Sequence, residues 1–335
     1  MSYLRPLAQT GPVRPAEALQ LAGGWAWFTH VERLSRGAAP EVVPVAALAD
    51  DERAPLTASR AAVAGLSMDT PRIMAILNVT PDSFSDGGLH ATGDASREGA
   101  ARLIAAGADI LDVGGESTRP GAAEVPVDDE IERVAPAIRA ARAAWDGAIS
   151  IDTRKAPVAR AAIDAGATML NDVSAMDFDP AMAPLAAETG LPICLMHAQG
   201  GPETMQADPR YDDVLLDVYD TLAARRDAAI AAGIAADRIV LDPGIGFGKT
   251  LEHNLALLNG LSLFHGLGCP ILLGASRKRF IGTLSGEDGA AARVPGSLAV
   301  ALAAVAQGVQ ILRVHDMAET RQALTIWQAI EKGTP

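Results

Sequence analysis

The chain predicts a (β/α)8 TIM barrel with an N-terminal extension and hairpin, and three observations carry that expectation. Eight short apolar runs recur along the chain, each opens into polar residues, and alanine-rich helical stretches separate them. In such a barrel the active site sits at the C-terminal ends of the strands. The runs are 73–77 into Asn78, 110–113 into Gly114-Gly115-Glu116-Ser117-Thr118-Arg119, 149–151 into Asp152, and 168–170 into Asn171. They continue with 193–196 into His197, 239–241 into Asp242, 271–273 into Gly274-Ala275-Ser276-Arg277-Lys278, and 311–312 into Arg313-Val314-His315. Between them, helices are expected over 95–106, 129–144, 156–165, 180–188, 212–232, 251–260, 295–307 and 317–330, from apolar spacing of three and four. Gly107, Gly166, Gly190, Gly233 and Gly308 fall just past helix ends, where a left-handed cap favours glycine. Eight units favour a closed barrel over an open doubly wound sheet.

With 335 residues, the chain accommodates one barrel of about 250 residues plus an extension. The expected division is an extension of unknown role over 1–70 and a barrel over 71–335. The 49% apolar content suffices for a large core, and the net charge of −13 disfavours nucleic acid or an anionic membrane as partner. Any site for an anionic substrate must therefore gather its own cations. The two cysteines, Cys194 and Cys269, lie in or beside apolar runs without CxxC spacing, as in a reduced cytoplasmic protein. The apolar patch 21–28 falls far short of the ~20 residues of a membrane span.

In the extension, 41–45 is strand-like, and Trp25, Trp27 and Phe28 concentrate aromatic surface. They suit a docking patch, a strand or hairpin packed on the barrel's N-terminal end, or a partly disordered segment. Residues 62–66 and 73–77, joined by 67–71, suggest a hairpin leading into the first barrel strand.

The loops carry the chemistry. Residues 78–88 combine Asn78, hydroxyls, Asp82, Asp86 and a terminal Gly-Gly, a composition able to order around an oxyanion or metal. Residues 114–121 set Arg119 among glycines and hydroxyls, which suits bidentate phosphate recognition. Asp152, Asn171 and Asp242 at strand ends would line the mouth with acceptors and one amide, complementary to a flat heterocycle with a guanidine-like donor edge. The segment 242–250 looks like a phosphate-binding Walker loop but is one residue too short from Gly244 to Lys249, with Pro243 at a required glycine. It reads as a turn that exposes backbone and aims Phe247 over the ligand, with Lys249 a solvated turn residue. Arg277, Lys278, Arg279, Arg313 and His315 supply five cations near the last two strands, the quadrant where barrels often bind phosphate. His197 reads equally as structural or as part of the site. The other histidines show no metal-ligand spacing.

Taken in order, 78–88, 115–121, Ile151-Asp152-Thr153, Asn171-Asp172, 242–249, Ser276-Arg277-Lys278 and 313–315 closely resemble the dihydropteroate synthase family of bacteria. The resemblance runs from about residue 73 to 330 and leaves the extension outside. It implies condensation of (7,8-dihydropterin-6-yl)methyl diphosphate with p-aminobenzoate to give 7,8-dihydropteroate and pyrophosphate, in folate biosynthesis. It implies a pterin pocket of Asp152, Asn171, Met196, Asp242, Phe247 and Lys278. It implies a pyrophosphate site of Asn78, Arg119, Arg313 and His315, with Mg2+ on Asn78. It implies a p-aminobenzoate site of Phe84, Thr118, Pro120, Phe247 and Ser276. Asp152, Asp242, Lys278 and Arg119 are the catalytic candidates, and a homodimer is implied. Two alternatives share the pterin pocket: a methyltetrahydrofolate:corrinoid methyltransferase, which has no need of the Arg119, Arg313 and His315 cluster, and a non-catalytic paralogue, expected to have lost loop residues present here.

Overall fold

The computed structural model describes residues 2–79, 89–117, 123–200, 205 and 208–334, with 89–95 as backbone alone. The extension forms a unit of its own at the start of the chain. Strands β1 (Tyr3–Pro6), β4 (His30–Leu34) and β5 (Glu41–Pro44) form an antiparallel sheet in the order β1-β4-β5; β2 (Leu19–Gln20) and β3 (Trp27–Phe28) pair beside it, and helix α1 (Asp50–Thr57) follows. Leu21, Ala26, Phe28, Val31, Val45, Leu48 and Leu56 give this unit its own small core. It is tied to the barrel's outer layer: the Trp25 indole donates to the Val305 carbonyl (2.8 Å), and the Arg60 guanidinium donates to the His265 carbonyl (2.9 Å). Burial of Trp27 and Phe28 supports the packed reading of these aromatics over a docking patch.

The hairpin needs correcting. Val63 and Leu66 exchange backbone hydrogen bonds across Ala64 and Gly65, both at positive φ, so the chain turns back on itself within four residues. It does not pair with the first barrel strand. Instead Val63 and Met68 enter the apolar floor of the barrel, packing with Met74, Ile110, Met169, Cys194, Val240 and Ile311.

The barrel strands are β6 (Arg72–Asn78), β7 (Ile110–Gly114), β8 (Ala148–Asp152), β9 (Met169–Asp172), β10 (Ile193–Met196), β11 (Ile239–Asp242), β12 (Leu272–Leu273) and β13 (Ile311–Val314). All pair in parallel in the order β11-β10-β9-β8-β7-β6-β13-β12, and a bridge between Leu241 and Ile271 closes the ring. Helices α2 (Leu89–Ala105), α3 (Val127–Ala144), α4 (Ala156–Ala165), α5 (Met182–Thr189), α6 (Val214–Ala231), α7 (Leu251–Asn259), α8 (Arg279–Ser285), α9 (Val294–Ala306) and α10 (Met317–Lys332) complete the chain. The spacing places eight of these within a few residues, although α2 begins at Leu89 rather than 95; α8 is too short to show a helical period. The five cap glycines all adopt positive φ, from 62° to 115°.

Side chains alternate across each strand, so residues two apart share the barrel interior. The floor layer is apolar: Ile110, Ala148, Met169, Cys194, Val240 and Ile311. One step toward the mouth the same faces carry Asp112, Ser150, Asn171, Asp242 and Arg313. The fold thus seats a polar layer on an apolar plug.

Candidate active site

Arg313 is the hub of that layer. Its Nε donates to Asp112 Oδ2 (2.6 Å) and its Nη2 to Asp152 Oδ2 (2.6 Å), while the Asn171 amide donates to Asp112 Oδ2 (3.2 Å). Asp112 is fully buried and Asp152 is 7% exposed. Burial pushes the Asp152 carboxyl up to about 7, against the pull of Arg313; Asp112 and further carboxylates add to the rise. Each carboxyl keeps one buried oxygen, Asp112 Oδ1 and Asp152 Oδ1, without a hydrogen-bond partner. Such an orphaned acceptor costs about 1–3 kcal/mol. The layer is therefore built to receive donors.

Across the barrel Asp242 is buried, its carboxyl raised by desolvation and partly restrained by the Gly244 amide, which donates to it at 2.7 Å. The turn after it has Gly244, Gly246 and Gly248 at positive φ. Lys278 reaches over this turn, donating to the Ile245 carbonyl, with its ammonium 4.2 Å from the centre of the Phe247 ring. Burial lowers the Lys278 amine to about 8. Met196 is buried against the same turn. On the β6–β8 side, Asn78 pairs in register with Gly114, and Gly114 with Asp152. The Ser276 hydroxyl accepts from the His315 amide (3.2 Å) and contacts its Nδ1 (3.1 Å).

The mouth thus brings together Asn78, Asp152, Asn171, Met196, Asp242, Phe247, Ser276, Lys278, Arg313 and His315. Phe84, Thr118, Arg119 and Pro120 lie outside the described residues.

Three expectations change. The cluster of five cations is thinner, because Arg277 is paired with Asp316 (3.0 Å) and Arg279 faces solvent at the start of α8. Asp112 belongs to the site but was not anticipated, because it sits inside an apolar run; its parity with Ile110 was the available signal. Lys249 is not solvated: it is 2% exposed, with its ammonium 2.9 Å from His197 Nδ1 and donating to the Phe247 carbonyl (3.0 Å). Burial, then the neighbouring Lys278, lowers the Lys249 amine to about 7, and burial with Lys249 lowers His197 to about 3. His197 is a neutral strut beneath the glycine turn.

Lys249 carries a pH signature. A lysine with a depressed folded value stabilises the fold above its unfolded value and loses that contribution as pH falls to the folded one. Lys249→Met should therefore gain stability relative to the parent as pH falls from about 10 to about 7, then level off. Urea unfolding across that range checks it; a difference constant with pH would mean that the ammonium is hydrated.

Among the described residues, no three His, Cys, Asp or Glu side chains gather around one point, and no single helix is long and apolar enough to cross a membrane. Both cysteines are buried and unpaired.

A parallel barrel whose mouth gathers buried carboxylates, an amide and the Phe247 ring matches one class, the pterin-binding enzymes. The family model for pterin binding enzymes matches residues 74–315. Dihydropteroate synthase of Escherichia coli (strain K12) is 48% identical over 264 residues, covering 79% of this chain and 93% of its own; that of Neisseria meningitidis serogroup B is also 48% identical, over 270 residues. Among solved structures, Xanthomonas albilineans dihydropteroate synthase with 4-aminobenzoic acid superposes with a TM-score of 0.76 at 47% identity, covering 81% of this chain and 98% of that one. The same enzyme in complex with 7,8-dihydropteroate gives 0.73 at 45% identity, with coverage of 79% and 95%. The chain belongs to the dihydropteroate synthase family, transferases of folate biosynthesis.

Proposed function

We propose that the residues of the mouth divide the synthase reaction as follows. The orphaned oxygens of Asp112 and Asp152, with Asn171 and Asp242, take the donor edge of the dihydropterin; this is the observation that carries the reading. Phe247 and Met196 pack on its faces, and Lys278 donates to its carbonyl oxygen. Arg313 neutralises the paired carboxylates and, with Asn78, Arg119 and His315, faces the diphosphate. Thr118, Pro120, Ser276, Phe84 and Phe247 hold p-aminobenzoate; a related enzyme is seen with that acid and with dihydropteroate.

The bond from the pterin methylene to the diphosphate oxygen breaks, and its electrons leave with pyrophosphate. Positive charge left on the pterin methylene faces buried carboxylates, which stabilise it without reorganisation. The p-aminobenzoate nitrogen then forms the new C–N bond and loses a proton. An aniline is so weak a base that no strong general base is needed.

Mg2+ would suit the side-chain oxygen of Asn78 at the end of β6, beside the residues proposed to face the diphosphate. It takes one or two protein ligands and completes its shell with phosphate oxygens and water. Asn78 offers one such oxygen, and no protein cage is required. Bound there, the ion supplies neutralisation of the leaving group. We extend the proposal to a homodimer, which the family resemblance supports, and to the cytoplasm, which the buried free thiols support.

Pyrophosphate release, measured after mixing protein, dihydropterin diphosphate and Mg2+, should depend on p-aminobenzoate and yield dihydropteroate. Asp152→Asn should weaken pterin binding by roughly 1–3 kcal/mol. Equal affinity by calorimetry would rule out this pose.

A further inference from the structure

The loop between β7 and α3 is gripped at its base by a buried ionic cluster that takes no part in the chemistry above. The Lys155 ammonium reaches three groups at once. It pairs with Glu116, where the loop leaves the barrel, and donates to the Val125 carbonyl (2.5 Å), where the loop returns. It also pairs with Glu130 in the first turn of α3 (2.8 Å). Glu116 bridges the same two ends, accepting from the Val125 amide (3.3 Å). Arg154 adds a second cation on Glu116, at 2.7 Å, and lies over the Phe178 ring. The side chains of Lys155, Glu116 and Glu130 are 3%, 6% and 1% exposed. Thr153 joins in, its hydroxyl donating to Glu130 (2.8 Å).

A buried ion pair is weak evidence for stability, because desolvation offsets most of the attraction. Its geometry is more informative. One ammonium fixes both ends of the segment 117–124 to a single point, and that point lies three residues beyond Asp152 on the next loop. The segment's base is thereby held in register with the pterin carboxylate.

We propose that Lys155 and Glu116 are positioning residues for p-aminobenzoate, clamping the base of the loop that carries Thr118, Arg119 and Pro120 to the strand end that carries Asp152. The inference rests on the assignment of those three loop residues to the aromatic acid and diphosphate. A loop base released from its clamp misplaces the acid relative to the methylene, while Asp112 and Asp152 keep their own bonds to Arg313 and leave the pterin pocket intact.

The test uses Lys155→Met, which removes the ammonium while keeping most of the volume, and Glu116→Gln, which keeps shape and an acceptor for Val125. Each is assayed for the KM of p-aminobenzoate, for kcat, and for dihydropterin affinity by calorimetry. The KM for p-aminobenzoate should rise roughly tenfold or more, with kcat falling, since an ångström of misplacement costs about that much or more. Dihydropterin affinity should stay within about twofold, as expected where the pterin carboxylates and the clamp share no hydrogen-bond partner. An unchanged KM overturns the proposal, and so does a parallel loss of dihydropterin affinity, which would mark a general structural role. If Lys155→Met does not fold, Glu116→Gln decides. Arg119→Ala, run alongside, separates the two levels: no effect on p-aminobenzoate would remove the loop from the site altogether, whereas an effect there with silent clamp variants would overturn the clamp alone.

Discussion

Arg313→Met should destabilise the protein by about 3–5 kcal/mol and lower turnover by at least about a hundredfold. Arg313 holds two carboxylates, Asp112 and Asp152, each at 2.6 Å, in the barrel interior. Methionine fills a similar volume but leaves both without a counter-cation, and uncompensated buried charge is among the costliest single changes. The loss has a pH signature. The Asp152 carboxyl already stands at about 7, raised by burial and held down by Arg313. A carboxyl whose folded value is raised contributes stability at low pH and loses it as pH rises through that value. Removing Arg313 pushes the value higher still, so the carboxylate penalty keeps growing above 7. The deficit of the variant should then be modest near pH 5.5 and larger near pH 8, as linkage requires over roughly that range. Urea unfolding at both pH values checks this. Equal deficits would show that packing, rather than charge, sets the role of Arg313.

The polar layer also shows what the sequence makes visible. Asp152, Asn171 and Asp242 stand out because each ends an apolar run, and a polar group at the mouth of a barrel needs no local partner. Asp112 lies between Leu111 and Val113, so it reads as an interruption of a strand. Only the period of two, which puts it on the face of Ile110, marks it as inward. Its charge is met by Arg313 from a strand some two hundred residues away, a pairing that ring closure creates and no local pattern announces. Lys249 was hidden for a related reason. Glycines around a lysine suggest a solvated turn, yet this turn folds inward against His197, and the burial comes from tertiary packing. In the extension, β2 and β3 have two residues each, too few to show alternation, and α1 carries Pro55. The barrel was legible because its period repeats eight times; the extension occurs once.

Gly244→Ala should cost about 3 kcal/mol or more and lower kcat/KM by about a hundredfold. Gly244 adopts φ +68°, and a Cβ there would fall 1.9 Å from the His197 carbonyl oxygen and 3.2 Å from Met196 Cγ. Contact distance for such atoms is about 3.5 Å, so the overlap with backbone cannot be relieved by a rotamer change. Either the turn or the end of β10 must move. Both bear on the site: the turn carries Phe247 and lies between Asp242 and Lys278, and β10 carries Met196. The strain of φ alone can be separated from the clash. Gly190 caps α5 at φ +62° with no atom within 4 Å of its missing Cβ. Gly190→Ala should therefore cost only the left-handed backbone penalty, about 1–2 kcal/mol, and leave kcat/KM unchanged. Chemical unfolding and steady-state kinetics on the two variants measure the difference directly. Equal stability losses, or a Gly244→Ala enzyme with normal kcat/KM, would mean that the turn yields freely and that the close approach to His197 does not set the pterin pocket.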